Sequence, residues 1–143
     1  MNDGLAFPFA ISLCIALIGV DTGVKIAPRA PLSDFFEVQS ITAHRQGDTA
    51  VLDVRRTIHA PIHMRFNVRI FHVEDLGMVQ TCSVTSSTIL YMPGSVLPDP
   101  VTLDWWTWGE CPKLPAGRAQ IVTTWDPEPP SMESLTIITE VQG

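Results

Sequence analysis

The stretch Ile62 to Val73 constrains the fold more than any other part of the chain. Met64, Phe66, Val68 and Ile70 recur at every second position, with Arg65, Asn67 and Arg69 between them. A period of two puts four apolar side chains on one face of an extended segment and the polar ones on the other. The chain must therefore build a sheet with one buried face, and must supply further strands to bury it against.

Those strands are marked by what separates them. The chain carries 12 prolines, clustered between apolar runs. Proline cannot sit in a helix interior or donate in a central ladder, so such clusters punctuate short strands. Strands are expected at Phe35–Ala43, Ala50–Ile58, Ile62–Val73, Met78–Val84, Thr88–Met92, Val101–Trp108, Ala119–Trp125 and Leu135–Val141. Gln46-Gly47-Asp48, Glu74-Asp75-Leu76-Gly77 and Ser86-Ser87 read as turns, and Pro93 to Pro100 as a loop. Seven or eight strands spaced roughly 8–12 residues apart predict an all-β antiparallel sandwich. The domain is expected over residues 35–126, with a Pro-rich break and a final strand or tail over 127–143.

Ahead of it, Leu5 to Val20 carries no charge and is flanked by Asp3 and Asp21. Residues 1–23 read as a hydrophobic, helical anchor, signal or arm, and 24–34 as a linker. Sixteen residues is short of the roughly 17–25 that span a bilayer as a helix. A signal peptide would want basic residues first and a small-x-small site after, and Asp3 and the following residues supply neither. Lys25 and Arg29 after the run favour a cytoplasmic C-terminal side, against the export reading. An apolar arm buried in an assembly is the other reading. Cys14 reads as a buried small hydrophobe; Leu13 before it is bulky where a lipobox carries a small residue.

Composition excludes some functions. Of the 143 residues, 45% are hydrophobic and only 17% charged, which argues against disorder in the body. The formal charge of −6 offers no global field for nucleic acid. Residues 76–143 set Lys113 and Arg118 against seven acidic residues. Arg55, Arg56, Arg65 and Arg69 lie on two expected neighbouring strands. If these pair, Arg65 and Arg69 form either a solvated, edge-protecting face or a strip for an anion or partner.

Cys82 and Cys111 are the two cysteines of the body and are expected to pair in an oxidising compartment. Closing a loop of about 30 residues is worth roughly 3–4 kcal/mol in the chain-entropy model. Between them lies Leu103-Asp104-Trp105-Trp106-Thr107-Trp108, the densest aromatic run. As a strand it would turn Leu103 and Trp105 inward, and Asp104, Trp106 and Trp108 outward. Exposed paired tryptophans suit a protein interface or sugar stacking. Covered by a loop or the Pro-rich tail, they would simply close the core.

The run Leu114-Pro115-Ala116-Gly117-Arg118-Ala119 is turn chemistry, with Pro presetting φ and Gly allowing positive φ. It resembles the strand corner of immunoglobulin-like and fibronectin-like domains, where Leu-x-Pro-Gly-x-Tyr is frequent. Here the tyrosine position holds Ala119 and the glycine is shifted by one. The resemblance implies an immunoglobulin-like sandwich and no activity. The Leu103–Thr107 run with Cys111-Pro112 and Leu114-Pro115 also looks similar to small bacterial and phage proteins of unassigned function.

No catalytic motif is present. Ser83, Ser86 and Ser87 lack a nucleophile-elbow context. No Gly-rich phosphate loop occurs. His59 and His63 flank Pro61 on extended chain, and with His44 and His72 make a poor metal set. No catalytic residue, metal or cofactor is assigned. The expectation is a non-enzymatic binding or adaptor domain, tethered to the cell envelope outside the cytoplasm by its N-terminal segment. Asp104, Trp106, Trp108, Arg65 and Arg69 are the partner-binding candidates. A protein partner is expected, a membrane contact through Leu5 to Val20 is open, and a homo-oligomer is open. The alternative is a structural subunit of a larger assembly such as a virion, with the apolar N-terminus as a buried arm.

Overall fold

The alternation in Ile62 to Val73 does produce a half-buried strand. In the computed structural model, which describes residues 31–128 and 132–143, Met64, Phe66, Val68 and Ile70 are all buried in β3 (Ile62–Glu74). The other elements are a short 3-10 turn (Leu32–Asp34), β1 (Phe36–Gln46), β2 (Thr49–Ile58), β4 (Gly77–Tyr91), β5 (Val101–Thr102), a one-turn helix α1 (Leu103–Trp106), β6 (Ala119–Pro127) and β7 (Leu135–Gln142). The expectations for residues 1–23, the first part of the 24–34 linker, and Cys14 lie outside the described residues.

Two tight hairpins form at turns expected from the residue chemistry. Gln46 pairs with Thr49 across Gly47, whose φ of 63° suits a residue without Cβ. Glu74 pairs with Gly77 across Asp75-Leu76. Ser86-Ser87, by contrast, is not a turn: β4 runs through it unbroken. Arg65 pairs with Thr88 and Asn67 with Thr85, so Phe66 alone faces both serines in a β-bulge. The Phe66 N–H donates to the Ser86 hydroxyl at 2.9 Å, replacing the ladder bond that the bulge removes.

The chain is all-β, and its seven strands form one mixed, curled sheet in the order β4-β3-β6-β7-β1-β2-β5. The last strand joins its two halves. Residues Leu135 to Glu140 pair antiparallel with β6, and then Val141 and Gln142 pair parallel with β1. The halves curl round one core, where the Phe36 and Trp125 rings meet at 5.3 Å. β2 and β3 are consecutive in sequence but belong to different halves. The Arg55/Arg56 and Arg65/Arg69 strands therefore do not pair, because the chain crosses the core's end at Ala60-Pro61.

The aromatic run is the second departure. Only Val101 and Thr102 are strand; Leu103 to Trp106 turn into a helix. Thr102 caps that turn, its hydroxyl accepting from the Trp105 N–H at 3.1 Å. A helical period replaces the period of two, so Leu103, Trp106 and Thr107 point inward and Trp105 outward. Thr107 then braces the chain as far as Cys111. Its hydroxyl donates to the Leu103 carbonyl at 2.8 Å and accepts from the Cys111 N–H at 3.1 Å.

Cys82 of β4 and Cys111 stand at disulfide distance, with Cα atoms 6.0 Å apart. The corner after Cys111 is held without a tyrosine. The Arg45 Nη2 donates to the carbonyls of Pro115, at 3.0 Å, and Gly117, at 2.6 Å. The Leu114 N–H donates to the Asp48 carbonyl at 2.7 Å. The corner is thus tied to the β1–β2 hairpin.

Candidate functional site

A curled sheet that does not close leaves a seam between its ends. Here β4 lies at one end and β2, with the two-residue β5 on part of its edge, at the other, and β4 does not pair with either. α1 and its following turn, tied to β4 at Cys82, plug one part of the seam. The other part is an open cleft of about 590 Å³, within the usual size range of ligand sites. Phe66, Trp106 and Trp125 form its buried floor, and Trp105 and Trp108 stand at its rim.

The floor is an aromatic cluster. Phe66 meets Trp106 at 5.0 Å, Trp108 at 5.4 Å and Trp125 at 5.5 Å. These separations and tilts suit rings that pair edge to face. Trp106 is only 3% exposed, and its Nε1 donates to the Thr123 hydroxyl at 3.3 Å. It is therefore floor rather than the outward-facing anchor expected of it. Trp105 and Trp108 are 51% and 50% exposed. Trp108 has φ of 51°, a left-handed conformation that costs an L-residue about 1–2 kcal/mol. A bulky side chain held in such a conformation invites a functional reading, since backbone strain gathers at binding sites.

Two polar groups enter from the seam's edges. Arg56 of β2 is half-buried with its guanidinium carbon 5.7 Å from the centre of the Tyr91 ring. Among the described residues, no carboxylate lies within ion-pair distance of it. Burial pushes its pKa below the ordinary arginine value, with the Tyr91 charge acting in the opposite direction. Burial pushes the Tyr91 phenol up to about 12, against the pull of Arg56 and of the Trp125 indole. The Trp125 Nε1 is itself buried with no partner in hydrogen-bonding geometry. Asp104 lines the cleft from α1.

Tyr91 is the chain's one tyrosine, so its titration can be read directly. Ultraviolet absorbance of the folded protein should show phenolate forming near pH 12 instead of near 10. The folded state keeps the proton that the unfolded state releases. The stability from this group is full below about pH 10 and is lost as pH rises through the folded pKa. A midpoint near 10 in the folded protein would contradict the buried phenol.

The sequence candidates do not form one site. Asp104, Trp106 and Trp108 all line the cleft. Arg65 and Arg69 lie on the opposite face of β3, because they alternate with Phe66. Arg65 borders a separate hollow with Asp126 and Glu128, and Arg69 lies over the Phe71 ring at 5.6 Å. Sequence reasoning missed Trp105, Tyr91 and Arg56 as cleft residues. Thr102 three residues before Trp105 was the available signal, since that spacing is helix-cap chemistry. Nothing local marked Tyr91 or Arg56.

His59 faces Glu37 at 3.2 Å on the surface. Among the described residues, no group of three or more His, Cys, Asp or Glu could hold a metal ion. Also among them, no helix is long and apolar enough to cross a membrane. No protein-family model, curated protein or solved structure matches the chain.

Proposed function

We propose that this protein is a non-enzymatic binding module that captures a protein partner in the aromatic cleft of its β-domain. The observation that carries the reading is the pair of half-exposed indoles, Trp105 and Trp108, at the rim of a ready-made apolar cleft. Tryptophan in such a position is a favoured anchor of protein interfaces. Leu90 and Val96, 47% and 89% exposed, extend the apolar rim. The uncharged stretch Leu5 to Val20 supports a tether to the cell envelope. The Cys82–Cys111 pair, in keeping with an oxidising location, supports a domain outside the cytoplasm, against the basic Lys25 and Arg29. Seven strands round one core and the Leu114–Ala119 corner support an immunoglobulin-like origin for the fold.

The test is a peptide-library selection on the full-length chain, followed by a variant carrying Trp105→Ala and Trp108→Gly. Glycine relieves the positive φ at position 108, so the double variant should melt within a few degrees of the parent. Selected peptides should lose roughly tenfold or more in affinity for it. Peptides that bind parent and variant alike would sink the cleft as the binding surface.

A further inference from the structure

The seam offers more than an apolar hollow: it joins a strand edge and a cation that both lack a partner among the described residues. β5 pairs with β2 only at Val51 and Leu52. From Asp53 to Ile58 the outer edge of β2 therefore has no strand beside it among the described residues. A second hollow of about 450 Å³ runs along that edge, walled on its far side by Ser95 to Asp99. Arg56 lines both this hollow and the aromatic cleft, as do Ser95, Val96 and Leu97. Arg56 stands where the two meet.

We propose that the partner presents its polypeptide C-terminus here. This rests on the cleft being the binding site. The free α-carboxylate pairs with the Arg56 guanidinium. The last side chain, apolar or aromatic, enters the cleft against Phe66 and Trp106, between the indoles of Trp105 and Trp108. The residues before it run along the open edge of β2 and add to the sheet through backbone hydrogen bonds. Strand addition at a free edge and capture of a chain terminus are both recurring modes of peptide recognition. Three features favour a chain end over other occupants. Asp104 lines the cleft and Asp53 and Asp99 the hollow, yet among the described residues none is within ion-pair distance of Arg56, and a half-buried guanidinium so placed is matched best by a planar, bidentate anion. An aromatic floor favours an apolar neighbour to that anion. An open strand edge favours a polypeptide over a small acid. An inward-pointing charge on an edge strand also discourages strand pairing in general. That protective role makes no distinction between a chain ending in a carboxylate and one ending in an amide.

The experiment turns on this distinction. N-acetylated tetrapeptides ending in Val-Phe, one as the free acid and one as the C-terminal amide, are titrated into the full-length chain. Binding is followed by tryptophan fluorescence. The acid should bind roughly ten- to a hundredfold more tightly than the amide, the range of one charge-assisted pair. Arg56→Gln should bring the acid down to the affinity of the amide while the amide is unchanged. Arg56→Lys should keep part of the preference. N-acetylphenylalanine, which has the carboxylate and ring but no strand, should bind more weakly than the acid tetrapeptide. Acid and amide binding equally would overturn the carboxylate inference and leave the cleft standing. N-acetylphenylalanine matching the tetrapeptide would overturn the strand addition. No fluorescence change with either tetrapeptide at millimolar concentration would overturn both the inference and the cleft reading.

Discussion

Trp125→Ala is expected to bring the domain close to unfolding at 25 °C. Trp125 is fully buried and touches three other rings: Phe36 at 5.3 Å, Phe66 at 5.5 Å and Trp106 at 6.2 Å. These belong to β1, β3 and α1, so one side chain joins both halves of the curled sheet to the plug in its seam. Truncating a buried tryptophan to alanine costs about 3–5 kcal/mol through lost transfer energy and the cavity left behind. Total stability of a domain this size is about 5–15 kcal/mol, so the loss takes a large share of it. Urea unfolding by circular dichroism measures the effect. Trp105→Ala serves as the control, because its half-exposed ring should cost far less. Trp125→Phe should recover part of the loss, since it keeps a ring and removes the unpartnered Nε1. A Trp125→Ala loss below about 1.5 kcal/mol would mean that the ring is not the keystone of this core.

The contrast between β3 and α1 shows why the sheet was legible and the cleft was not. In β3, seven residues in register repeat the same instruction, and burial of one face enforces it. Its alternation located four core side chains, and the turn residues Glu74 to Gly77 located the hairpin at Asp75-Leu76. In the aromatic run, four or five residues satisfied two periods at once. Leu103 and Trp105 fit a strand face, while Leu103, Trp106 and Thr107 fit a helical one. The choice fell to a single cap bond from Thr102, worth about 1 kcal/mol, and to the space left between the sheet's ends. Only the first of these is written locally.

Ser86-Ser87 failed for a related reason. Serine pairs are common in turns, yet here the Ser86 hydroxyl repairs the ladder that its own bulge disturbs. Strand pairing was the least legible level. β2 and β3 are three residues apart in sequence and lie in different halves of the sheet, and nothing in Arg55, Arg56, Arg65 or Arg69 records that. Arg56 becomes a cleft residue only because β2, beyond its short pairing with β5, borders the seam with its inner face toward it. A site assembled at the failure of a sheet to close depends on topology. Composition and periodicity do not specify topology.

Breaking the Cys82–Cys111 link should be the second large perturbation. The pair closes a loop spanning 29 positions, which in the chain-entropy model is worth roughly 3–4 kcal/mol. Replacing both cysteines by serine, or reducing the full-length chain, should lower its stability to urea by about 2–5 kcal/mol. The effect should also be local. The link fastens the turn after α1 to β4, across the seam, and Leu103, Trp106 and Thr107 remain to pack that turn from within. Without the link, the rim at Trp105 and Trp108 loses its tether to one edge of the sheet. Acrylamide quenching of tryptophan fluorescence should rise before global unfolding begins. Unchanged urea midpoints with and without reductant, and equal quenching, would show that packing of α1 alone closes this part of the seam. A falling midpoint with unchanged quenching would place the contribution in the unfolded chain. Both changing together would show that the same bond stabilises the domain and shapes its cleft.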